Sequence, residues 1–329
     1  MPFDVFEEEK FLSNNHNNSV VAKFFSHGKL LLTGEYVVLD QALSLAIPTT
    51  LGQHMHVKER EESDTRIIFW KSISVDGNCW FEGKFTIQKD PLSGLNMVHY
   101  DSDSQDQSDI GDMLVQILNK AIELNPDFLS KKSYHIETEL DFDRSWGLGS
   151  SSTLICNIAK WAEVDAFELS KVSFGGSGYD IAVGMMGGDV LYRSPSMWEG
   201  YVFNPTFKEQ LFFVHLNKKK DSREGIRAYR SKNVSENMIN SISMITDRIT
   251  TCKDFDEFQE LIEKHEHIIA KMIQIEPIKQ LSFSDYPYAI KSLGAWGGDF
   301  ILACGDSGTP EYFKSKGYNK VITYKDLIM

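Results

Sequence analysis

The chain has 329 residues, 42% hydrophobic and 25% charged, with 34 Lys and Arg against 47 Asp and Glu, for a net charge of −13. That length suits two domains rather than one small core, and the composition is that of a globular protein. So acidic a surface repels nucleic-acid phosphates and anionic lipid, which argues against both as partners; an anionic small molecule would need a local basic patch.

Four cysteines, Cys79, Cys156, Cys252 and Cys304, are widely spaced with no CxxC pair. This argues against a zinc site or a disulfide framework and suits a reducing cytosol. The acidic opening "MPFDVFEEEKFLSNNHNN" lacks the apolar core of a signal peptide, and Glu35 and Asp40 interrupt the apolar stretch 30–51. A cytoplasmic protein without a membrane span is expected.

In chain order, "VVAKFFS" (20–26) reads as a strand and "LLLTGEYVVLD" (30–40) as strand, turn, strand. The stretches 53–60, 65–73 and 78–88 have partly alternating β character. The acidic "DSDSQDQSD" (101–109) is a loop that delivers a helix capped by Ser108 or Asp109. In that helix Ile110, Met113, Leu114, Ile117, Leu118, Ala121 and Ile122 share one face. A strand at 134–142 precedes a Gly/Ser stretch, a helix from about Ser151 to Glu163, and a strand at 187–194. The Pro-containing segment around 195–206 is the expected boundary between domains 1–205 and 206–329. Beyond it come a strand (210–217), helices at 235–250 and 255–273, a strand at 297–304 and a strand-led tail. Several strands follow one another without a helix, so the fold class is α+β rather than a doubly wound parallel sheet.

The Gly/Ser stretch is "SWGLGSSSTL" (145–154). Glycines let a backbone approach an anion closely, and the first turn of a helix offers unpaired N–H groups and partial positive charge. "GLGSSS" therefore reads as a phosphate cradle or, taken alone, as an ordinary Ser-capped helix after a Gly turn. It is not a G-x-x-x-x-G-K-[ST] loop, because Gly28–Lys29 and Gly83–Lys84 are followed by Leu30 and Phe85. It is also a poor dinucleotide fingerprint.

Three further stretches give the loop a context. "HGKLLLTGEYVVLD" (27–40), "GLGSSS" (147–152), "GGSGYDIAVGMMGGDVLYR" (175–193) and "KSLGAWGGDFILAC" (291–304) resemble, in order and spacing, the motifs of the GHMP small-molecule kinases. The "GSGYD" form is most similar to phosphomevalonate kinases. The resemblance implies a two-domain GHMP fold, a mixed-sheet N-terminal domain with a ferredoxin-like C-terminal domain. It implies ATP and Mg²⁺ as cofactors and a small metabolite as acceptor, and it leaves a homodimer open. The acceptor it favours is phosphomevalonate, with mevalonate or another metabolite of the superfamily as the alternative. The chain also departs from the pattern. Ser152–Thr153 replaces the usual Ala pair, no Pro precedes the loop, and Trp296 stands where Gly is usual. The segment from Gly149 to Asp180 is short, so the carboxylate expected to hold Mg²⁺ falls to Glu163 or Glu168.

On this resemblance, Lys29 stabilises transferred charge and Asp180 accepts or orients the acceptor proton, kept ionised by Lys29. Gly147, Leu148, Gly149, Ser150, Ser151, Ser152, Gly294, Gly297 and Gly298 cradle the phosphates, with Ser151 and Glu168 toward the metal. Glu35 and Tyr36 line the acceptor site. The basic stretch "NKKKDSREGIRAYR" (217–230), with Lys220, Ser222 and Arg223, suits an acceptor that already carries a phosphate, or is simply a solvated helix start. Two rivals stand against a kinase. "GDSGTP" (305–310) imitates a serine-protease nucleophile motif but lacks a partner His motif. A non-catalytic nucleotide- or metabolite-binding protein of the same fold would fit Trp296, but Lys29 and Asp180 argue against it.

Overall fold

The structure is a computed structural model that describes residues 21–60, 65–100, 108–172, 176–218, 222–232 and 234–329. It contains strands β1 (Val21–Thr33), β2 (Ser44–Arg60), β3 (Arg66–Ile73), β4 (Cys79–Lys89), β5 (Asn96–Tyr100) and β6 (Ser133–Leu140). Later strands are β7 (Asp189–Ser194), β8 (Met197–Tyr201), β9 (Leu211–His215), β10 (Ile290–Ser292), β11 (Phe300–Cys304) and β12 (Val321–Thr323). The helices are α1 (Ser108–Leu124), α2 (Ser150–Ala162), α3 (Ala166–Ser170), α4 (Tyr179–Met186) and α5 (Ser222–Arg230). They continue with α6 (Glu236–Thr251), α7 (Phe255–Ile273), α8 (Ile278–Ser282), α9 (Thr309–Ser315) and α10 (Tyr324–Leu327). Among the described residues no helix is long and apolar enough to cross a membrane.

Two compact units emerge from the contacts. Among the described residues, one takes 21–25, His54–Glu139 and Asn157–Val164; the other takes Ser26–Gln53, Leu140–Cys156 and Asp165–Met329. The first carries the strand order β5-β4-β3-β6-β2, in which β3 pairs parallel with β6 and antiparallel with β4. Here α1 buries Leu114, Ile117, Leu118, Ala121 and Ile122, the face its periodicity marks out.

In the second unit β2 continues into β7 and β8, all antiparallel. The same unit holds a separate antiparallel sheet, β10-β11-β9-β12. Chain order β9, helices, β10, β11, α9, β12 in that spatial order is the ferredoxin-like arrangement. Its core joins Leu30, Leu32, Leu45 and Ile47 to Phe213, Phe300, Leu302, Ile249, Phe258 and Ile262. Asp254 caps α7 by accepting from Glu257 N at 2.8 Å. Helical spacing then puts Phe258, Ile262, His265, Glu266 and Ile269 on the buried side.

Several local expectations change. The expected strands at 20–26 (of which residue 20 lies outside the described residues) and from 30 are not separate over 21–33, because β1 runs on through His27, Gly28 and Lys29. The apolar "VVLD" is not a strand but a 3₁₀ turn, Val37–Asp40. Gly34 (φ 94°) and Tyr36 (φ 64°) are left-handed, and Val38 N bonds back to Gly34 O at 2.9 Å, so turn geometry overrides the β propensity of two valines. The basic stretch becomes helical from Ser222. Short elements such as β5, β8, α3, α4, α8, α9 and β10 carry no periodic signal long enough to read.

Candidate functional site

Lys29 lies on β1, with its backbone N–H bonded to Leu148 O at 2.9 Å and its ammonium donating to Gly147 O at 3.1 Å. This double attachment explains Gly28. A Cβ there would lie 2.6 Å from Thr49 Oγ1, 3.1 Å from Leu51 O and 3.2 Å from Leu148 O, so only glycine lets the loop cross the strand. The loop itself is left-handed at Gly147 (φ 68°) and Gly149 (φ 90°), and α2 begins at Ser150. "GLGSS" thus feeds directly into a helix N-terminus, the geometry that receives anions.

The residues in place of the usual small pair are accounted for internally. Ser152 and Thr153 are buried. Ser152 Oγ donates to Gly149 O at 2.9 Å, and Thr153 Oγ1 bonds to Gln53 Oε1 at 2.8 Å and Ser150 O at 3.0 Å. Back-bonding of this kind lets hydroxyls occupy a buried first turn without orphaned donors. Ser150 and Ser151 stay half-buried on that turn.

Asp180 opens α4 after the left-handed Gly178 (φ 88°) and is half-buried. Its neighbour Tyr179 hydrogen-bonds Lys29, whose ammonium also sits 5.4 Å from the Tyr179 ring centroid. Burial works against the Lys29 charge. The electrostatic influence of Tyr179 and Asp180, the bond to Tyr179 and the charge of Asp299 outweigh it and hold the Lys29 pKa above the usual lysine value. Lys29 is therefore a permanent cation at neutral pH.

The turn of the fourth motif is left-handed at Gly294 (φ 62°), Trp296 (φ 48°), Gly297 (φ 77°) and Asp299 (φ 52°). Gly298 is buried beside them. Trp296 is 2% exposed and packs with Tyr36, Val37 and Tyr229, so its bulk fills a core instead of standing free. Tyr36 stacks on Tyr229 at 5.7 Å between centroids. Burial, with the charges of Glu35 and Asp299, pushes the Tyr36 pKa up to about 12. Gly225 of α5 closes against the same ring, since a Cβ there would meet Tyr36 Oη at 2.6 Å.

Glu35 is 1% exposed and forms an ion pair with Lys291, itself fully buried. Lys291 also donates to Ser292 O at 2.9 Å. Ser292 donates from N and Oγ to Glu266 at 2.9 and 2.7 Å, and Gly34 N donates to His265 Nε2 at 2.9 Å. Burial, aided by the Lys291 charge, drives the His265 pKa well below the usual value, so its ring is neutral and accepts. Burial also outweighs Lys291 at Glu35 and lifts its pKa to about 7.

The remaining predicted residues separate from this cluster or fall outside it. Glu168 is exposed on α3 and pairs with Lys171 at 2.6 Å. Lys220, and the side chains of Ser222 and Arg223, lie outside the described residues. Arg230 of the basic stretch bonds Asp40 at 3.1 Å, and Tyr229 is buried, so part of that stretch packs on the Tyr36 turn. Ser307 stands in an exposed turn before α9, where Asp306 accepts from Gly308 N at 2.8 Å. Sequence reading assigns no role to Asp299, Lys291, His265 or Glu266. Asp299 ends the "GGD" of the fourth motif and Lys291 opens it, but the partners of both are remote in sequence.

No protein-family model and no curated protein matches the sequence. The fold, by contrast, is shared with solved kinases of small metabolites. The mevalonate kinase of Methanococcus jannaschii covers 92% of this chain and 96% of its own at 14% identity, with a TM-score of 0.62. Streptococcus pneumoniae phosphomevalonate kinase, solved with phosphomevalonate and AMPPNP, covers 92% and 99% at 16% identity and 0.62. Lactococcus lactis galactokinase, solved with galactose, covers 94% and 93% at 12% identity and 0.61. The chain has the two-domain GHMP kinase fold.

Two predictions follow from the buried network. Lys291→Met strands the Glu35 carboxyl and should lower stability by about 3–5 kcal/mol, while Lys291→Met with Glu35→Leu should lose much less. Urea denaturation of the two variants checks this, and equal losses would mean that the pair is not coupled. The second concerns pH. The folded pKa of Glu35, about 7, lies above the ordinary value of 4.5, so the folded state holds the extra proton between them. The corresponding stability is present below the lower value and is lost as pH rises through the upper one. Stability of the wild type relative to Glu35→Gln should therefore fall between about pH 5 and about pH 7.5. A flat difference across that window would contradict the shift.

Proposed function

We propose that this protein is an ATP-dependent small-molecule kinase and that its acceptor is phosphomevalonate. The observation that carries the kinase reading is the attachment of Lys29 to "GLGSSS" at a helix N-terminus, with Asp180 close enough to act on the same ammonium. Phosphoryl transfer needs an anion cradle, a fixed cation and a group that handles the acceptor proton, and here one strand and two helix starts supply all three.

In the proposed reaction the β/γ-phosphates of ATP rest on the backbone of Gly147–Gly149 and the first turn of α2. Lys29 stabilises charge on the transferring group. The acceptor oxygen bonds to the γ-phosphorus as the bond from that phosphorus to the ADP oxygen breaks. Asp180 orients the acceptor and takes its proton where it carries one. Mg²⁺ would neutralise phosphate charge there. Among the described residues no group of three His, Cys, Asp or Glu side chains forms a closed metal site. That fits a magnesium ion held mainly by phosphates, water and one or two carboxylates. The phosphomevalonate kinase of similar fold was solved with AMPPNP, which supports ATP as the donor.

The acceptor rests on the "GSGYD" segment, whose Tyr179 ring lies beside Lys29, and on the exposed Lys218 and Arg227 of the basic stretch 217–230. Mevalonate is the alternative, because mevalonate kinase folds match equally well. The burial of Trp296 removes one reason to read the chain as a non-catalytic binder. A coupled ADP-release assay on mevalonate, phosphomevalonate, homoserine and galactose should show turnover with phosphomevalonate; turnover with mevalonate alone would move the acceptor, and none with any would favour the binder. On the acceptor so identified, Asp180→Asn should lower kcat by about 10²–10⁴-fold with ADP affinity kept. Near-normal turnover would remove Asp180 from the chemistry.

A further inference from the structure

Two helices begin at the candidate site, and they meet at a contact between two small residues. α2 starts at Ser150 directly after the left-handed Gly149, and α4 starts at Tyr179 directly after the left-handed Gly178. Six residues into α2 stands Cys156, fully buried, and four residues beyond Asp180 in α4 stands Gly184, also buried. A Cβ added to Gly184 would lie 2.6 Å from Cys156 Sγ and 3.4 Å from Cys156 Cβ. The same sulfur lies 3.8 Å from Ile181 O, in the first turn of α4. The helices approach this closely because residue 184 has no side chain.

A glycine inside a helix is unfavourable relative to alanine, so something must offset its presence at 184. Spacing supplies a reason. Asp180 and Gly184 are four apart and share a face of α4, as Ser152 and Cys156 share a face of α2. At 1.5 Å per residue, the contact lies about 9 Å along α2 and about 6 Å along α4 from Asp180. The other side of α4 has no slack. Ala182 and Val183 are fully buried in one cluster with Leu31, Ala46, Val190 and Tyr192 of the sheet. Leu31 is two residues beyond Lys29 on β1. Tyr192 Oη also donates to Ser177 O, which holds the turn leading into α4. α4 is thus gripped between the strand that carries Lys29 and the helix that carries the Gly/Ser loop, and the width of that slot sets where Asp180 stands.

We propose that Cys156 and Gly184 are positioning residues, whose contact sets the distance from the phosphate cradle to Asp180. This rests on the kinase reading above. Both act through Asp180 and not on the reacting atoms themselves. Non-bonded heavy atoms settle at about 3.5–4.0 Å, so a methyl at 184 must open the contact by about 1 Å. Close-packed interiors transmit such a displacement, and a misplacement of that size costs about a hundredfold in rate.

The test is a size exchange across the contact. Gly184→Ala should lower kcat for ADP release with phosphomevalonate by about ten- to a hundredfold, with ADP affinity by calorimetry kept within about threefold. Adding Cys156→Ala gives up a sulfur for the methyl gained, a nearly volume-conserving exchange, and should return kcat to within about threefold of the wild type. Near-normal kcat in Gly184→Ala, or a loss of ADP affinity equal to the loss of kcat, overturns the proposal. So does a double variant whose kcat stays low. Where Gly184→Ala does not fold, the double variant decides alone. It should fold and turn over near the wild-type rate, and failure on either count overturns the proposal. If mevalonate, homoserine or galactose proves to be the acceptor, kcat is read with that compound. A wild type that turns over none of the four overturns the kinase reading and the positioning role with it, whereas every outcome for the variants leaves that reading standing.

Discussion

A fully buried ammonium decides how the Gly34–Tyr36 turn is built. Lys291 has no access to water, and its charge is met by Glu35, by Ser292 O and, at longer range, by Glu266. Each ion taken out of water carries a desolvation penalty that an ion pair only partly returns. The rise of the Glu35 pKa to about 7 shows the balance, with burial outweighing the neighbouring cation. Such a pair adds little net stability and much selectivity, because any arrangement that separates its members leaves a bare charge inside. The segments it fixes are the Gly34–Tyr36 turn, β10 and, through His265 and Glu266, the buried face of α7.

That fixation explains how Tyr36 tolerates a left-handed backbone. A non-glycine residue at φ 64° is strained by itself, and it persists only where its surroundings over-determine it. Here the Gly34 N–H is held by His265, the preceding carboxylate by Lys291, and the ring by Tyr229 and Trp296. The same principle operates at Lys29. Its backbone and side chain are each bonded to the loop, so the cation and the helix N-terminus keep one spacing. An ammonium held above its ordinary pKa acts as a fixed charge and not as a base, which in the proposed reaction leaves the proton chemistry to Asp180.

The parts legible in sequence are those whose causes are local. The face of α1 follows from periodicity, α6 and α7 read as helices over nearly their full lengths, and the turn before α2 follows from glycines placed ahead of a helix start. The mixed order of strands and helices is enough for the fold class. What was not legible depends on partners far along the chain. Lys291 meets Glu35 across 256 positions, and no local pattern marks either as a buried ion. The "VVLD" turn misleads because its valines are buried sideways by tertiary packing, against their own preference for strand. Arg230 reads as one loose charge of a basic run until Asp40, 190 positions away, is placed beside it.

The fourth motif brings these threads together. A turn with four left-handed residues out of six would ordinarily be all glycine, yet Trp296 and Asp299 occupy two of those positions. Each carries strain that glycine would avoid, so each must return something through its side chain. Trp296 does so by burial, closing the aromatic cluster that presents Tyr36. Its indole Nε1 is buried with no hydrogen-bond partner among the described residues, so its contribution is apolar area and not a polar contact. Asp299 cannot be explained in that way, because a carboxylate gains nothing from an apolar surrounding. Its conformation is over-determined by its surroundings instead, with its N–H donating to Lys218 O at 2.7 Å, its carbonyl accepting from Leu216 N at 2.8 Å and its charge helping to hold Lys29 protonated.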